Sequence, residues 1–413
     1  MNTLKLPSHV LEVMNKLSSG GHDAFLVGGS VRDSIIGADV KDWDVATSAT
    51  PVEVANLFSK TVLTGEKFGT VTAVLPEGSI EITTFRTDGT YTNGRHPESV
   101  TFASDISEDL SRRDFTINAM AMSASGELID PFGGTKDIKS GIIRCVGGPN
   151  TRFAEDALRM FRAFRFSAVL GFEIEPETLQ AIYANIHLAN QISIERTRVE
   201  LEKIIMSQRP EILGEMIKIG LLERHTDILG RSPQGLDKIS ILPEESLLRW
   251  TAFCAILLET KTIRSATEWL YTLRFSSKTT KTCLNAVRIR SYEETYALSS
   301  VRSNKALFYN KIEIKKLLAE NERAAVRCAA AISDVLNLAG DGRALANTDE
   351  VISSGECATL GELAISGKDL LEAGHPPGLK LGETLKKLLM FVIENPQTNQ
   401  REVLVNLINS INP

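Results

Sequence analysis

The sequence predicts an α+β fold: a mixed α/β head to about residue 148, then an all-helical remainder. Three observations predict it. "DAFLVGG" (23–29) is a short apolar run ending in glycines, which suits a strand. "GTVTAVLPEGSIEITTF" (69–85) alternates apolar and polar residues around Pro-Glu-Gly, the pattern of a hairpin. After "CVGGPNTRF" (145–153), apolar residues recur at helical spacing almost to the end.

The elements follow in order. "MNTLKLPSHVLEVMNKL" (1–17) reads as an amphipathic helix, since it has no long apolar core and no small-residue cleavage site. "VRDSIIG" (31–37) gives one or two helical turns closed by Gly37, and "DWDVAT" (42–47) returns to a strand. In "TPVEVANLFSK" (50–60), Thr50 can cap a helix, Pro51 fits its first position and Glu53 completes a capping box. "FRTDGTYTNGRHPESVTF" (85–102) is a long loop punctuated by glycines, and it carries Arg86, Arg95 and His96. Beyond Pro149, "AEDALRMFRAFRFSAVL" (154–170), "VELEKIIMS" (199–207) and "GEMIKIGLLERH" (214–225) read as amphipathic helices. "GHPPGLKLG" (374–382) reads as a loop between tail helices. No repeat period and no low-complexity segment is present.

Composition narrows the function classes. The chain has 413 residues, 43% hydrophobic and 24% charged, enough for a buried core and too long for one typical domain. No apolar run approaches the roughly 18 residues of a membrane span. The five cysteines (Cys145, Cys254, Cys283, Cys328 and Cys357) are scattered and never form C-x-x-C. They suit reduced thiols in a cytoplasm better than a zinc site or a disulfide frame. The net charge of -6 does not suggest a nucleic-acid binder, but such a protein needs only a local basic surface. Between Lys278 and Lys316 lie nine basic residues: those two with Lys281, Arg288, Arg290, Arg302, Lys305, Lys311 and Lys315. They are a candidate RNA surface or simply a solvated helical face.

Two clusters carry chemistry. Asp42 and Asp44, two apart on a strand, would point to the same face. Paired carboxylates repel, and a divalent cation removes the conflict: Mg²⁺ is usually held by one or two carboxylates plus substrate phosphates. Asp-x-Asp also arises by chance on surfaces. Just before it, Gly28, Gly29 and Ser30 lie between a strand and a helix start, where a backbone can approach a phosphate closely. Arg32 can add a bidentate phosphate contact. The second cluster is Glu155, Asp156 and Arg159. Its plain structural alternative is an ion pair one helical turn apart on an exposed face.

"LVGGSVRDSIIG" followed by "DWDVATSATP" resembles the nucleotidyltransferase head of tRNA CCA-adding enzymes and bacterial poly(A) polymerases, more specifically the class II, bacterial type. "SRRDFTINAMAM" (111–122), "IDPFGG" (129–134), "RFAEDALRMFRAFRF" (152–166) and "SIERTRVELEKIIMS" (193–207) follow in that family's order. The resemblance is dense to about residue 207 and looser beyond it, where "SGKDLL" (366–371) also fits.

The resemblance implies a polymerase-β-like nucleotidyltransferase head, a mixed sheet with helices, over 1–148. A helical neck for nucleotide selection (149–210), a helical body (211–310) and a helical tail that binds tRNA (311–413) would follow. It makes Asp42 and Asp44 the catalytic metal ligands, with Glu81 a possible third acid or an ordinary edge-strand residue. It places Gly28, Gly29, Ser30 and Arg32 around the triphosphate, and Arg112, Arg113, Asp114 and Asn118 near sugar and phosphates. Asp156 can only accept hydrogen bonds and Arg159 can only donate. Cytosine and adenine each offer an amino donor beside a ring acceptor, so this pair could select C and A without a nucleic-acid template. Arg196 and Arg198 would stabilise the neck helices.

The implied activity adds C, C and A to the 3′ end of tRNA from CTP and ATP with release of pyrophosphate, by two-metal transfer. CC-only addition, A-only addition and poly(A) synthesis are the alternatives, and the long 85–102 loop favours full CCA addition. Mg²⁺ is the expected cofactor. The tRNA 3′ end and acceptor or elbow region, CTP and ATP are the expected partners, in the cytoplasm and away from membranes. His22-Asp23 could belong to a metal-dependent phosphohydrolase pair, but the other histidines are isolated. Lys368 and residues 374–382 could touch the tRNA backbone.

Overall fold

The structure, a computed structural model, describes residues 6–40, 42–65, 68–89, 99–223, 233–299, 307–336 and 342–411. The chain divides into two compact units. The first runs to residue 204 and includes 219–221; the second comprises 205–218 and the chain from 222 onward.

The first unit opens with α1 (Ser8–Ser19), β1 (Ala24–Val27), α2 (Gly29–Ile36), β2 (Asp44–Thr47) and α3 (Pro51–Leu57). Then come β3 (Thr61–Gly65), β4 (Thr70–Leu75) and β5 (Gly78–Thr84). β6 (Arg86–Asp88) and β7 (Val100–Phe102) form a separate antiparallel pair, followed by α4 (Ile106–Ser111), β8 (Ala121–Met122) and β9 (Leu128–Ile129). The main sheet has the order β3-β4-β5-β2-β1-β8-β9; β2 and β5 run parallel and the other neighbours antiparallel. α5 (Gly134–Ser140), β10 (Ile142–Ile143), α6 (Pro149–Glu155), α7 (Leu158–Leu170), β11 (Glu173–Ile174), α8 (Pro176–Asn185) and α9 (Ile194–Ile205) complete it.

Several local expectations hold. The Thr50–Glu53 capping box starts α3 with Pro51 inside it. β4 and β5 pair through a tight turn with Leu75 opposite Gly78. Gly37 closes α2 in the left-handed conformation, φ 80°. The first helix starts at Ser8 after Pro7; residues 1–5 of that expectation lie outside the described residues.

Five expectations need correction. The 85–102 segment is not loop throughout, because its ends pair as β6 and β7. The helix expected over 214–225 ends at Lys218. β2 begins at Asp44, so Asp42 stands before the strand and is exposed. The predicted helix over 154–170 is broken: α6 ends at Glu155, Asp156 takes an extended backbone (φ -144°, ψ 104°), and α7 starts at Leu158. Asp156 makes the break itself, because its Oδ1 accepts from the Leu158 N–H at 3.0 Å. The predicted 374–382 loop is only half loop, since a helix begins at Leu379.

The sheet separates two apolar clusters. Leu26 and Val45 join Val10, Val13, Met14 and Leu17 of α1 on one face. Val27, Ala46 and Phe85 join Ile106 and Leu110 of α4 on the other. Alternation along β2 therefore puts Asp44 on the Ala46 side, toward α4.

The second unit is helical. It contains α10 (Ile212–Lys218), α11 (Ser246–Glu259), α12 (Ala266–Thr272), α13 (Ser277–Ser299), α14 (Lys311–Glu320) and α15 (Arg323–Leu336). α16 (Ala344–Ser353), α17 (Gly367–Glu372), α18 (Leu379–Glu394) and α19 (Arg401–Ile411) come next. Trp250 packs its ring against Phe253, Trp269 and Phe275 at centroid distances of 6.0, 6.0 and 5.0 Å. The neighbouring Arg249 is buried and is satisfied by the carbonyls of Leu242, Pro243, Ile205, Ser207 and Ser240. Among the described residues, no helix is long and apolar enough to cross a membrane.

Candidate active site

β1 runs into Gly28, whose φ of 73° and ψ of -129° belong to a region that glycine alone enters readily. That turn delivers Gly29 and α2, with their free amides at the helix start. Gly28 also yields space: a Cβ there would lie 2.8 Å from Arg113 Nη1. Gly28→Ala is therefore expected to displace Arg113 and raise the dissociation constants of CTP and ATP alike by about tenfold or more. Calorimetric titration of the folded variant checks this.

Gly28, Gly29, Arg32, Asp44, Arg113, Asp114, Asn118, Asp156 and Arg159 all line one cavity of about 480 Å³ in the first unit. The sequence motifs point to all nine. Two other motif residues stand apart. Ser30 is buried and its hydroxyl donates to the Val27 carbonyl at 2.9 Å, which pins the turn. Asp42 does not line the cavity.

Arg32 reaches the opposite wall, where its Nη1 donates to Asn118 Oδ1 at 2.6 Å. Asn118 in turn donates to Asp114 Oδ1 at 3.1 Å, and Arg162 donates to Asp114 Oδ2 at 2.7 Å. Burial opposes ionisation of Asp114, but the Arg162 charge and these hydrogen bonds outweigh it and hold the carboxyl far below the usual range. Asp114 is thus a fixed anion that orients Asn118 and Arg162.

Asp156 and Arg159 face the same cavity, and both have partners. Arg196 Nη2 meets Asp156 Oδ2 at 2.8 Å. Arg159 Nη1 donates to Glu155 Oε2 at 2.6 Å and to the Arg152 carbonyl at 3.2 Å, while Nη2 donates to the Arg112 carbonyl at 3.0 Å. The plain structural alternative, an ion pair between Asp156 and Arg159, is not what forms: Arg159 pairs with Glu155. The two side chains are engaged yet unsaturated. Each Asp156 oxygen has accepted one bond and can take another, and two of the five Arg159 N–H groups are unused.

Asp44 and Glu81 are register partners on the parallel strands β2 and β5. The Asp44 carboxyl is pushed up by burial, then by the charges of Glu81 and Asp42, with Arg113 opposing. Such a set of repelling hard-oxygen donors suits a divalent cation, whose charge reverses the repulsion. No group of three or more His, Cys, Asp or Glu forms a ready cage among the described residues, so substrate oxygens would have to complete the coordination.

Five wall residues are not singled out for a nucleotide role by the motifs: Arg162, Arg165, Phe166, Arg196 and Leu158. The first two repeat Arg159 at three-residue intervals, a spacing that places them on one face of α7. Arg165 lies over the Phe166 ring at 3.9 Å, and burial lowers its pKa to about 10. Arg196, expected only as a neck stabiliser, also pairs with Asp156. With Arg112, seven guanidiniums and three carboxylates surround the cavity, an environment for a polyanion.

The basic stretch at 278–316 is much less basic in place. Lys281 pairs with Glu322, Arg290 with Glu259, Lys311 with Glu350, Lys315 with Glu356 and Lys316 with Glu313. Arg302 and Lys305 lie outside the described residues, as do Arg95 and His96 of the 85–102 segment. All five cysteines are buried free thiols.

The chain is similar to known proteins along most of its length. The profile of the "Poly A polymerase head domain" matches residues 24–144, that of an RNA- and SrmB-binding site of polymerase A matches 171–226, and that of a tRNA nucleotidyltransferase domain 2 matches 243–408. A CCA-adding enzyme of Ligilactobacillus salivarius is 38% identical over 405 residues, covering 96% of this chain and 94% of the relative. One from Geobacillus kaustophilus is 36% identical over 403 residues, covering 95% and 94%. The crystal structure of the Bacillus stearothermophilus CCA-adding enzyme in complex with CTP superposes with a TM-score of 0.77 at 30% identity, covering 97% of this chain and 96% of that one. The Thermotoga maritima CCA-adding enzyme complexed with tRNA shares the fold, with a TM-score of 0.68 at 22% identity over 98% and 95% of the two chains.

Proposed function

This chain belongs to the family of CCA-adding tRNA nucleotidyltransferases, and on that premise we propose how its own residues add C, C and A to the 3′ end of tRNA from CTP and ATP. The relatives do not favour CC-only addition, A-only addition or poly(A) synthesis. The observation that carries the residue roles is the cavity. One 480 Å³ space brings together the glycine turn, seven arginines, Asp44 and the Asp156–Arg159 pair.

Gly28 and Gly29 let the backbone approach the triphosphate, and the amides that open α2 meet its charge. Arg32 and Arg113 face the same turn and take phosphate oxygens. Asp114 and Asn118 hold Arg162 and Arg32 in place and lie near the sugar. Asp156 accepts from the amino group of cytosine or adenine, and Arg159 donates to the adjacent ring nitrogen, each with its unused capacity. Uracil and guanine present donor and acceptor in the reverse order and are refused.

Transfer requires the 3′-OH of the RNA to attack the α-phosphate while pyrophosphate leaves. Family members work with divalent cations, and we propose Mg²⁺ here, held by Asp42 and Asp44 with Glu81 near them. When bound, it would supply a Lewis acid for the attacking hydroxyl and the leaving pyrophosphate. The protein contributes positioning and a preorganised field of arginines. We place the protein in the cytoplasm, consistent with its five free thiols.

The test uses purified protein, Mg²⁺ and three acceptor tRNAs ending before CCA, after C and after CC. Each receives CTP, ATP or both, with products sized at single-nucleotide resolution. Growth of the first tRNA by CCA followed by a stop supports the proposal. A stop at CC, an A ladder, or no extension each overturns it in a different way.

A further inference from the structure

Asp109 lies in α4 with 1% of its surface exposed, and nothing in the chemistry above uses it. It divides its oxygens between two arginines. Oδ1 accepts from Arg112 Nη2 at 2.7 Å and Nε at 3.1 Å. Oδ2 accepts from Arg113 Nη2 at 3.1 Å and Nε at 3.4 Å. The Arg86 backbone N–H, where the β6–β7 pair begins, also donates to Oδ1 at 3.4 Å. On a solvated helix, pairs at this spacing contribute only a few tenths of a kcal/mol. Here the acid is buried and both of its partners line the nucleotide cavity.

Arg113 Nη1 lies against Gly28, at a position a Cβ would contact at 2.8 Å. The Arg112 carbonyl receives Arg159 Nη2. The Arg113 side chain therefore reaches the glycine turn, while Arg159 is held by the Arg112 backbone carbonyl, which the side-chain anchor at Asp109 does not set. Without a buried anion between them, the two guanidiniums repel each other and lose their shared anchor.

We propose that Asp109 is a positioning residue for nucleotide binding: it fixes Arg112 and Arg113 in the cavity wall without touching the nucleotide. This inference rests on the assignment of Arg113 to the nucleotide phosphates. Removing the carboxylate frees Arg113 and weakens CTP and ATP equally, because both carry the same triphosphate. The C-and-A selectivity against U and G is preserved, since Asp156 is untouched.

The test is a double-mutant cycle on the full chain. Binding of CTP, ATP and inorganic pyrophosphate is titrated by calorimetry for wild type, Asp109→Asn, Arg113→Ala and the double variant, with thermal melts alongside. Asp109→Asn is expected to raise all three dissociation constants by about tenfold, or about 1.4 kcal/mol. In the Arg113→Ala background the same change is expected to add less than about threefold. Equal effects in both backgrounds, or wild-type binding by folded Asp109→Asn, overturns the positioning role. If Arg113→Ala binds like wild type, the assignment of Arg113 is what fails. Should Asp109→Asn not fold, Asp109→Glu keeps the charge and moves its oxygens by one methylene. It is expected to weaken all three ligands in the same pattern by a smaller factor, and unchanged affinities in Asp109→Glu overturn the proposal.

Discussion

Asp44→Asn is expected to lower the rate of nucleotide addition by about 10³-fold or more while leaving the fold intact, and to make the protein more stable at neutral pH. The activity loss comes from position. Asp44 is the acid that opens β2 and faces the nucleotide cavity, beside Glu81 on β5. Losing a group that acts on the transition state lowers the rate of the chemical step far more than ground-state binding. CTP affinity without metal should therefore change little, while single-turnover addition collapses.

The stability gain has a definite sign. Burial and the neighbouring charges of Glu81 and Asp42 raise the Asp44 pKa in the folded protein. A carboxyl whose folded pKa exceeds its unfolded value disfavours the native state once it ionises. The penalty is absent at acid pH and complete above the folded pKa. The Asn variant should thus melt above wild type at pH 7, with the difference shrinking as pH falls toward the unfolded Asp value of about 3.9. An enzyme that keeps its rate, or a variant that melts lower at pH 7 than wild type, contradicts this account. On the proposed role of Asp44, a divalent cation would relieve this repulsion, and the stability lost without it would be the cost of catalysis.

Local signals in the sequence located most of the head. The Thr50–Glu53 box, the Leu75–Gly78 hairpin and the Gly37 cap each depend on residues within a few positions, and each formed as their chemistry dictates. The break at Asp156 was also local, an aspartate capping the second residue after it, but helical periodicity on both sides masked it. Asp109 was illegible for another reason. In "SEDLSRRD" it reads as one more surface acid, and only the contact from Arg86, 23 residues earlier, shows that it is covered. The pairing of the basic stretch was hidden in the same way. Its lysines look free in sequence, while Lys311 and Lys315 are paired with acids 39 and 41 residues away. Charge that is cancelled at long range cannot be read from a window.

Asp156→Asn should open the site to UTP. Its isosteric amide keeps an oxygen for the Leu158 N–H, so α7 still starts where it does. It replaces an acceptor-only group by one that can also donate, which is what O4 of uracil requires, while Arg159 still faces the uracil N3–H donor to donor, so the discrimination is relaxed and not abolished. A site built to hydrogen-bond its substrate rejects a mismatched partner by large factors, because mismatch leaves buried polar groups unpaired. The preference for CTP over UTP in kcat/KM is expected to fall by roughly 10²-fold, mostly through gain of UTP use. The same substitution also weakens the contact from Arg196, which sits 2.8 Å from the other carboxylate oxygen. Arg196→Ala separates the two effects: it removes that contact, leaves the acceptor pattern intact, and should lower kcat/KM for CTP and UTP together without changing their ratio. If Asp156→Asn and Arg196→Ala reduce CTP use equally and neither admits UTP, Asp156 is a hinge for the α6–α7 break and reads no base. If only Asp156→Asn admits UTP, the hydrogen-bonding direction of Asp156 carries its share of the selection beside Arg159, and one pocket can accept C and A because both bases present the same edge to it.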